Sequence, residues 1–368
     1  MSKLSDEREL LSKPGDTILE TIEYLKMSQV ELAERMGKKP SKINDLISGK
    51  EPITKSTALQ LETVLGIEAQ FWLNREINFR EKLSRIEQQE SLERHKEWLR
   101  QQPVKDLKEL GYLKSDEIGP SLVHECLMFY AVASPAEWSK MYLKEYESTD
   151  FRKSSAHVTA LGSMAAWLRI GEIEIQNLKL PEYSKNKFKE VLNLSRGIAK
   201  DQPEDFASML QDICSKAGVA LVYSKSLPKV QISGVVRWIS GRPLIHMTDG
   251  YKTNDHFWFT FFHEAAHLLL HGKKNVFIEN FEGAKKDESK EEEANTFAAS
   301  SLLPRFSAKN LPNKINDSEI IKLAQQYETH PGIVVSRLQH LDRLPRSFGN
   351  HFKVKVNLKQ PTELTQSN

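Results

Sequence analysis

The sequence predicts an α+β fold that is mostly helical: an N-terminal helix-turn-helix bundle, a helical middle, and a C-terminal domain with a small antiparallel sheet. Three observations lead there. Short apolar-periodic segments broken by Gly37, Gly49 and Gly66 fill residues 14–80. Three β-branched runs, at 219–223, 232–239 and 243–248, interrupt an otherwise helical pattern. A strongly apolar helix over 256–271 then carries His263, Glu264 and His267. At about 150 residues per domain, the 368 residues accommodate two or three. The expected divisions are 1–80, 81–200, 201–345 and a tail at 346–368.

Composition excludes some functions. With 52 Lys plus Arg against 50 Asp plus Glu, the net charge of +2 rules out a uniformly basic binder and an acidic solvating chain. No run reaches the 18 or so apolar residues of a membrane span, so no membrane partner is expected. The charged N-terminus has no apolar signal region, and Cys126 and Cys214 are too few for a disulfide framework. A reducing, cytoplasmic setting is the expectation.

The first segment reads as a DNA-binding unit. With Gln29 at position one of a helix-turn-helix, Ala33 falls where two helices cross and Gly37 where the turn needs a positive φ. Ser28 can cap helix 28–36, with Glu31 closing a capping box. Pro40 suits the first turn of a second helix at 40–47. Leu32, Met36, Ile43 and Leu46 would hold the pair together. The second helix would enter the major groove. Gln29, Ser41 and Asn44 are candidates at the interface, with Asn44 suited to reading adenine and Lys39, Lys42 and Lys50 to meeting phosphates. Residues 35–55 hold six basic side chains against Asp45 and Glu51, a local +4.

The stretch from Gly15 to Asn74 resembles the HigA-type antitoxin domain of the Xre-like helix-turn-helix group. Leu32-Ala33, Gly37, Ile43, Gly49-Lys50, Ile53-Thr54, Thr57-Ala58 and Phe71-Trp72-Leu73 carry the likeness, while Lys38 departs from an apolar position. The resemblance implies a homodimer on operator DNA.

The middle is less informative. Residues 81–112 are highly charged, with Leu83, Ile86, Leu92 and Leu99 at helical spacing up to Pro103. Helical patterning continues through 113–215, broken at Pro120, Pro135, Pro181 and Pro203. This region reads as scaffold or interaction surface.

The chemistry sits near the C-terminus. In His263-Glu264-Ala265-Ala266-His267 the two histidines lie about 40° apart on one helical face, so both imidazoles can bind one ion. Glu264, one residue on, can serve as general base toward water at that ion. A third ligand is sought among Glu291, Glu292 and Glu293 in a helix at 289–302. Glu291 falls within the stripe of Ala294, Ala298 and Leu302, with Glu292 about 100° and Glu293 about 200° away. Glu291 is therefore favoured, with Glu293 facing solvent and Glu292 closing a capping box on Ser289. Asn295 can orient a ligating histidine from behind. His271 lies one turn too far for the same ion and reads as a helix-end or pocket residue.

This arrangement resembles the ImmA/IrrE family of zinc-dependent metallopeptidases, through DHFWFTFFHEAAHLLLH, EEEANTFAASSLLP and PGIVVSRLQH, with ISGVVRWISGRPLIHMT ahead of them. The resemblance implies a zincin-like domain, zinc held by His263, His267 and Glu291, and water activated by Glu264. It also implies a bacterial or phage setting and a protein substrate, a repressor or antitoxin. The strand at 232–239 could offer an edge to which a peptide adds. Two functions follow: a DNA-binding endopeptidase, or a regulator whose C-terminal domain senses a metal or ligand and cleaves nothing. Glu264 favours the first, because a sensor needs no water-activating carboxylate.

Overall fold

A computed structural model of the chain describes residues 3–142, 155–230, 232–250, 252–272, 277–278, 287–308, 311–312 and 314–358. The chain divides into two compact units, one of residues 1–99 and 113–126, the other of 100–112 and 127–368.

The first unit is a helical bundle of α1 (Lys3–Glu9), α2 (Pro14–Tyr24), α3 (Gln29–Arg35), α4 (Pro40–Ile47), α5 (Lys55–Leu65) and α6 (Ala69–Arg94). The expected helix-turn-helix is α3 and α4. Ala33 is fully buried between them, and Gly37 makes the turn at φ +63°, where an L side chain would be strained. Ser28 caps α3 by accepting the Glu31 N–H at 3.1 Å. The expected box does not close, because the Glu31 carboxylate accepts from Arg35 instead, at 2.7 Å. Leu32, Met36, Ile43, Leu46 and Trp72 share one core, and the Trp72 indole donates to the Ile67 carbonyl at 3.2 Å. Each such large apolar side chain contributes roughly 1.5–3 kcal/mol on burial. α6 runs 26 residues, through the division expected at 80. It stops at Arg94 rather than at Pro103, since Lys96–Gln101 tightens to a 3-10 turn that buries Trp98 and Leu99.

In the second unit come α7 (Val104–Glu109), the last part of α8 (Pro120–Tyr130), α9 (Pro135–Tyr142), α10 (Ser155–Asn177), α11 (Lys185–Asp201) and α12 (Phe206–Lys216). The strands β1 (Ala220–Ser224), β2 (Gly234–Ile239) and β3 (Arg242–Thr248) follow, then α13 (Asn254–Leu270), β4 (Phe277–Ile278), α14 (Glu288–Leu302), α15 (Asp317–Gln326) and α16 (Pro331–His340). Among the described residues no helix is long and apolar enough to cross a membrane.

The sheet is mixed, not wholly antiparallel. Its order is β1-β3-β2-β4, with β1 parallel to β3 and β2 antiparallel to both β3 and β4. β2 and β3 form a hairpin turning at Ser240 and Gly241, and β1 docks on the far side of β3. Every residue of β1 is buried, a pattern that carries no directional signal in sequence. β2 is therefore internal, and β4 occupies its outer side at Val235 and Val236. The edge expected there for an added peptide is already paired at those positions.

The core of this unit forms around α13, of whose 17 residues 14 are buried. Phe257, Trp258, Phe261 and Phe262 pack against Phe188 and Leu192 of α11 as well as the sheet and α16. The compact C-terminal core thus begins upstream of residue 201. The segment expected as tail is also built in as far as described: Lys355 bridges to Thr253 and Leu358 is buried. Residues 359–368, and most of the polar loop expected at 272–288, lie outside the described residues. Cys126 and Cys214 are both buried.

One buried histidine ties the sheet to α10. His246 of β3 stacks on Trp167, with centroids 3.8 Å apart, and its Nε2 meets the Ser224 hydroxyl at 2.7 Å. Burial, helped by the nearby Arg237, pushes its pKa from 6.5 down to about 3. Between those values the unfolded chain binds a proton that the fold excludes, so stability falls as pH drops from 6.5 toward 3. The slope from this group is at most about 1.4 kcal/mol per pH unit. Melting curves across that window should flatten in His246→Gln, and an unchanged slope would refute the assignment.

Candidate functional site

α13 and α14 lie side by side and carry the candidate metal residues. His263 and His267 are one turn apart on α13, both about 1% exposed. Their Nε2 atoms face each other at 3.0 Å. Glu291, in the first turn of α14, places one carboxylate oxygen 3.5 Å from each. The three ligand atoms lie within 4.8 Å of one another. Glu291 is largely covered while Glu292 and Glu293 are exposed, as the helical wheel anticipates.

Hydrogen bonds behind the rings decide what the rings present. An amide oxygen can only accept, so the contact of His263 Nδ1 with Asn295 Oδ1 at 3.0 Å makes Nδ1 the donor. The second ring is held by a relay. The Glu293 carboxylate accepts from His271 Nε2 at 3.1 Å, and His271 Nδ1 meets His267 Nδ1 at 2.9 Å. Since His271 Nε2 donates to Glu293, its Nδ1 can accept from His267 Nδ1, which leaves a lone pair on His267 Nε2. Burial first, then the neighbouring His263, pushes His267 down to about 3, so the ring is neutral near pH 7. Two nitrogen lone pairs and a carboxylate therefore converge. A single cation with ligand distances of about 2.0–2.1 Å suits that donor set, and the residues present fit a divalent metal.

The relay is what sequence reasoning missed. His271 is the expected helix-end residue, but it also supports His267. Glu293 is 59% exposed as expected, yet it bonds His271. The signal was available in the i+4 spacing from His267 to His271. Glu292 closes no capping box on Ser289, because α14 starts one residue earlier, with Asp287 at the cap position.

Glu264 is fully buried on α13. The backbone of β2 comes close to it at Gly234. A Cβ there would stand 2.9 Å from Glu264 Cγ and Oε1 and 3.1 Å from Thr260. The strand thus limits the space open to the carboxylate.

On the first unit, Gln29, Lys39, Ser41, Lys42, Asn44 and Lys50 are all exposed, while Ile43, Leu46 and Ile47 of α4 turn inward. Lys42 is not an unencumbered cation. Its ammonium bonds Glu51 at 2.9 Å, and that bond raises its pKa. A phosphate meeting Lys42 must displace this carboxylate.

The fold and the site define a helix-turn-helix DNA-binding domain joined to a metallopeptidase-like domain. The comparisons agree. A helix-turn-helix family model matches residues 23–72, and the IrrE N-terminal-like domain of peptidase M78 matches 214–339. Residues of the chain are 39% identical over 62 positions to the uncharacterized HTH-type transcriptional regulator YddM of Escherichia coli K12, covering 17% of this chain and 66% of that protein. They are 35% identical over 79 positions to virulence-associated protein I of Dichelobacter nodosus, covering 21% of this chain and 71% of that one. The chain thus carries a helix-turn-helix domain at residues 23–72 and an IrrE N-terminal-like peptidase M78 domain at 214–339.

The geometry separates the three adjacent glutamates experimentally. In a chelator-competition titration, Glu291→Gln should lower metal affinity most and Glu292→Gln should leave it unchanged. Asn295→Ala should weaken binding about 10- to 100-fold, the usual effect of losing a group that orients a ligand. Equal effects of Glu291→Gln and Glu292→Gln would rule out the arrangement.

Proposed function

We propose that the protein is a DNA-binding, zinc-dependent endopeptidase that cleaves a regulatory protein, a repressor or antitoxin, in a cytoplasmic stress or toxin–antitoxin-type system of a bacterium or phage. Residues 1–80 read the operator, 81–200 serve as scaffold, part of it packed against α13, and 201–345 hold the catalytic site. The observation that carries this reading is the convergence of His263 Nε2, His267 Nε2 and the Glu291 carboxylate on the helix that also bears the buried Glu264.

His263, His267 and Glu291 would hold the metal, with Asn295 fixing the His263 tautomer and His271 that of His267. Bound zinc would supply a Lewis acid that polarises a peptide carbonyl and makes water more acidic. Glu264 then accepts a proton from the attacking water and returns it to the departing amine. Gly234 restricts the positions that carboxylate can take. Burial of α13 keeps bulk water from competing for the ligand lone pairs.

On the DNA side, α4 offers Ser41, Lys42 and Asn44 to a major groove, with Lys39 and Lys50 beside the backbone and Gln29 at the start of α3. A homodimer would set two such helices on a two-fold operator.

Two measurements test the halves separately. Purified with zinc and incubated with repressors or antitoxins encoded beside it, the protein should cleave one of them. Glu264→Gln should keep its metal and lose that cleavage by several orders of magnitude; cleavage equal to that of the unaltered protein would sink the mechanism. In gel shifts with the upstream region of its own gene, Asn44→Ala should weaken binding by about 1–3 kcal/mol. Lys42→Ala should weaken it less and in a salt-dependent way. Unchanged shifts in both variants would remove the assignment of α4 as the reading helix.

A further inference from the structure

Beside the metal residues, and distinct from them, α13, α14, α16 and the chain after Pro345 enclose an open cavity of about 810 Å³. Its volume lies in the range of small-molecule sites, roughly 300–1,000 Å³. Its charge is unusual. Arg305, Arg337 and Arg346 all line it, with Lys353 at its side. The carboxylates facing them are Asp255 and Glu292. Asp255 is already tied to Lys353 at 2.9 Å, which leaves the exposed Glu292 against three arginines. Among the described residues none of these three guanidinium groups has a hydrogen-bonding or ionic partner.

Arg337 is the most telling of the three. It is only partly exposed, and burial pushes its guanidinium below the usual arginine value with no counter-charge opposing that. A cation partly removed from water without an anion is unfavourable, and several converging on one cavity repel each other. Phe259, Phe306 and Ile333 supply an apolar wall to the same cavity. Planar guanidinium forks match phosphate oxygens in paired hydrogen bonds, and the apolar wall can take a flat ring system.

The geometry points to a binding site for a phosphate-bearing small molecule with an aromatic body, of nucleotide size. Arg305, Arg337 and Arg346 clamp the phosphates, and the body lies against Phe259 and Phe306. Asn295 lines the same cavity while its Oδ1 accepts from His263 Nδ1, so an occupant sits next to the group that orients the ring. The inference stands apart from the peptidase reading: the cavity binds its ligand whether or not the protein cleaves anything.

The test is calorimetric titration of the full-length, metal-loaded protein with pyrophosphate, adenosine 5′-diphosphate and adenosine. Pyrophosphate and the diphosphate should bind, the diphosphate more tightly, and adenosine weakly. Arg337→Met and Arg305→Met each keep the aliphatic stem and should weaken diphosphate binding at least tenfold, with the melting temperature retained. Arg346→Met provides a third variant at an exposed position if Arg337→Met fails to fold. Absence of binding by either phosphate compound overturns the proposal. So does binding that survives Arg305→Met with Arg337→Met but disappears on chelation, which would put the anion on the metal. A polyglutamate peptide that binds where neither phosphate compound does would mark a peptide subsite and equally overturn it.

Discussion

The contact between α13 and α14 is what the C-terminal chemistry depends on. Two imidazoles on one helix are an incomplete site; a carboxylate must reach them from elsewhere. The small side chains Ala294 and Ala298, both fully buried, let α14 approach closely, and Glu291 one turn before Ala294 is delivered to both Nε2 atoms. The same approach brings Asn295 behind His263 and Glu293 behind His271. The first two turns of α14 thus supply the third ligand candidate and the supports of the other two. Burial of 14 of the 17 residues of α13, His263, Glu264 and His267 among them, limits how far these side chains can turn.

The surrounding charges are sorted by depth. Asp255, at the start of α13, is buried, which would raise its pKa; hydrogen bonds from Thr253 and Lys353 outweigh that and hold the carboxyl below its ordinary value. Around the sheet, Glu172 accepts from both Arg169 and Arg237, at 2.9 and 2.6 Å, with all three side chains mostly covered. Such pairs are strongly destabilising to break because each partner is left buried and unpaired. The first unit contrasts with this. There the Lys42–Glu51 pair lies at the surface, where it contributes little and can exchange partners. That exchangeability would suit the proposed role of α4, in which local contacts give way to phosphates.

Much of this was legible in the residues. The helix-turn-helix followed from a small residue at 33, a glycine at 37 and a proline at 40, each demanded by local geometry. Glu291 could be preferred over its neighbours because a helical wheel needs only the period and the buried stripe. Other features depended on contacts distant in sequence. The parallel pairing of β1 with β3 cannot be read from β-branched runs, which have the same composition in either direction. The relay through His271 needed the position of Glu293 on another helix. The arginines at 305, 337 and 346 are scattered in sequence and become neighbours only when the cavity forms.

Gly234 joins the sheet to the helix in a further sense. The space its missing Cβ leaves is filled by the side chain of Glu264, thirty residues later. Neither position can therefore vary by itself: a larger residue at 234 is tolerable only if 264 shrinks, and a substitution at 264 alters what 234 can accept. Strand and helix are constrained as a pair. A recombinant that took β2 from one ancestor and α13 from another would inherit the motif intact, yet its glutamate would fit only if both parents had left the same empty space.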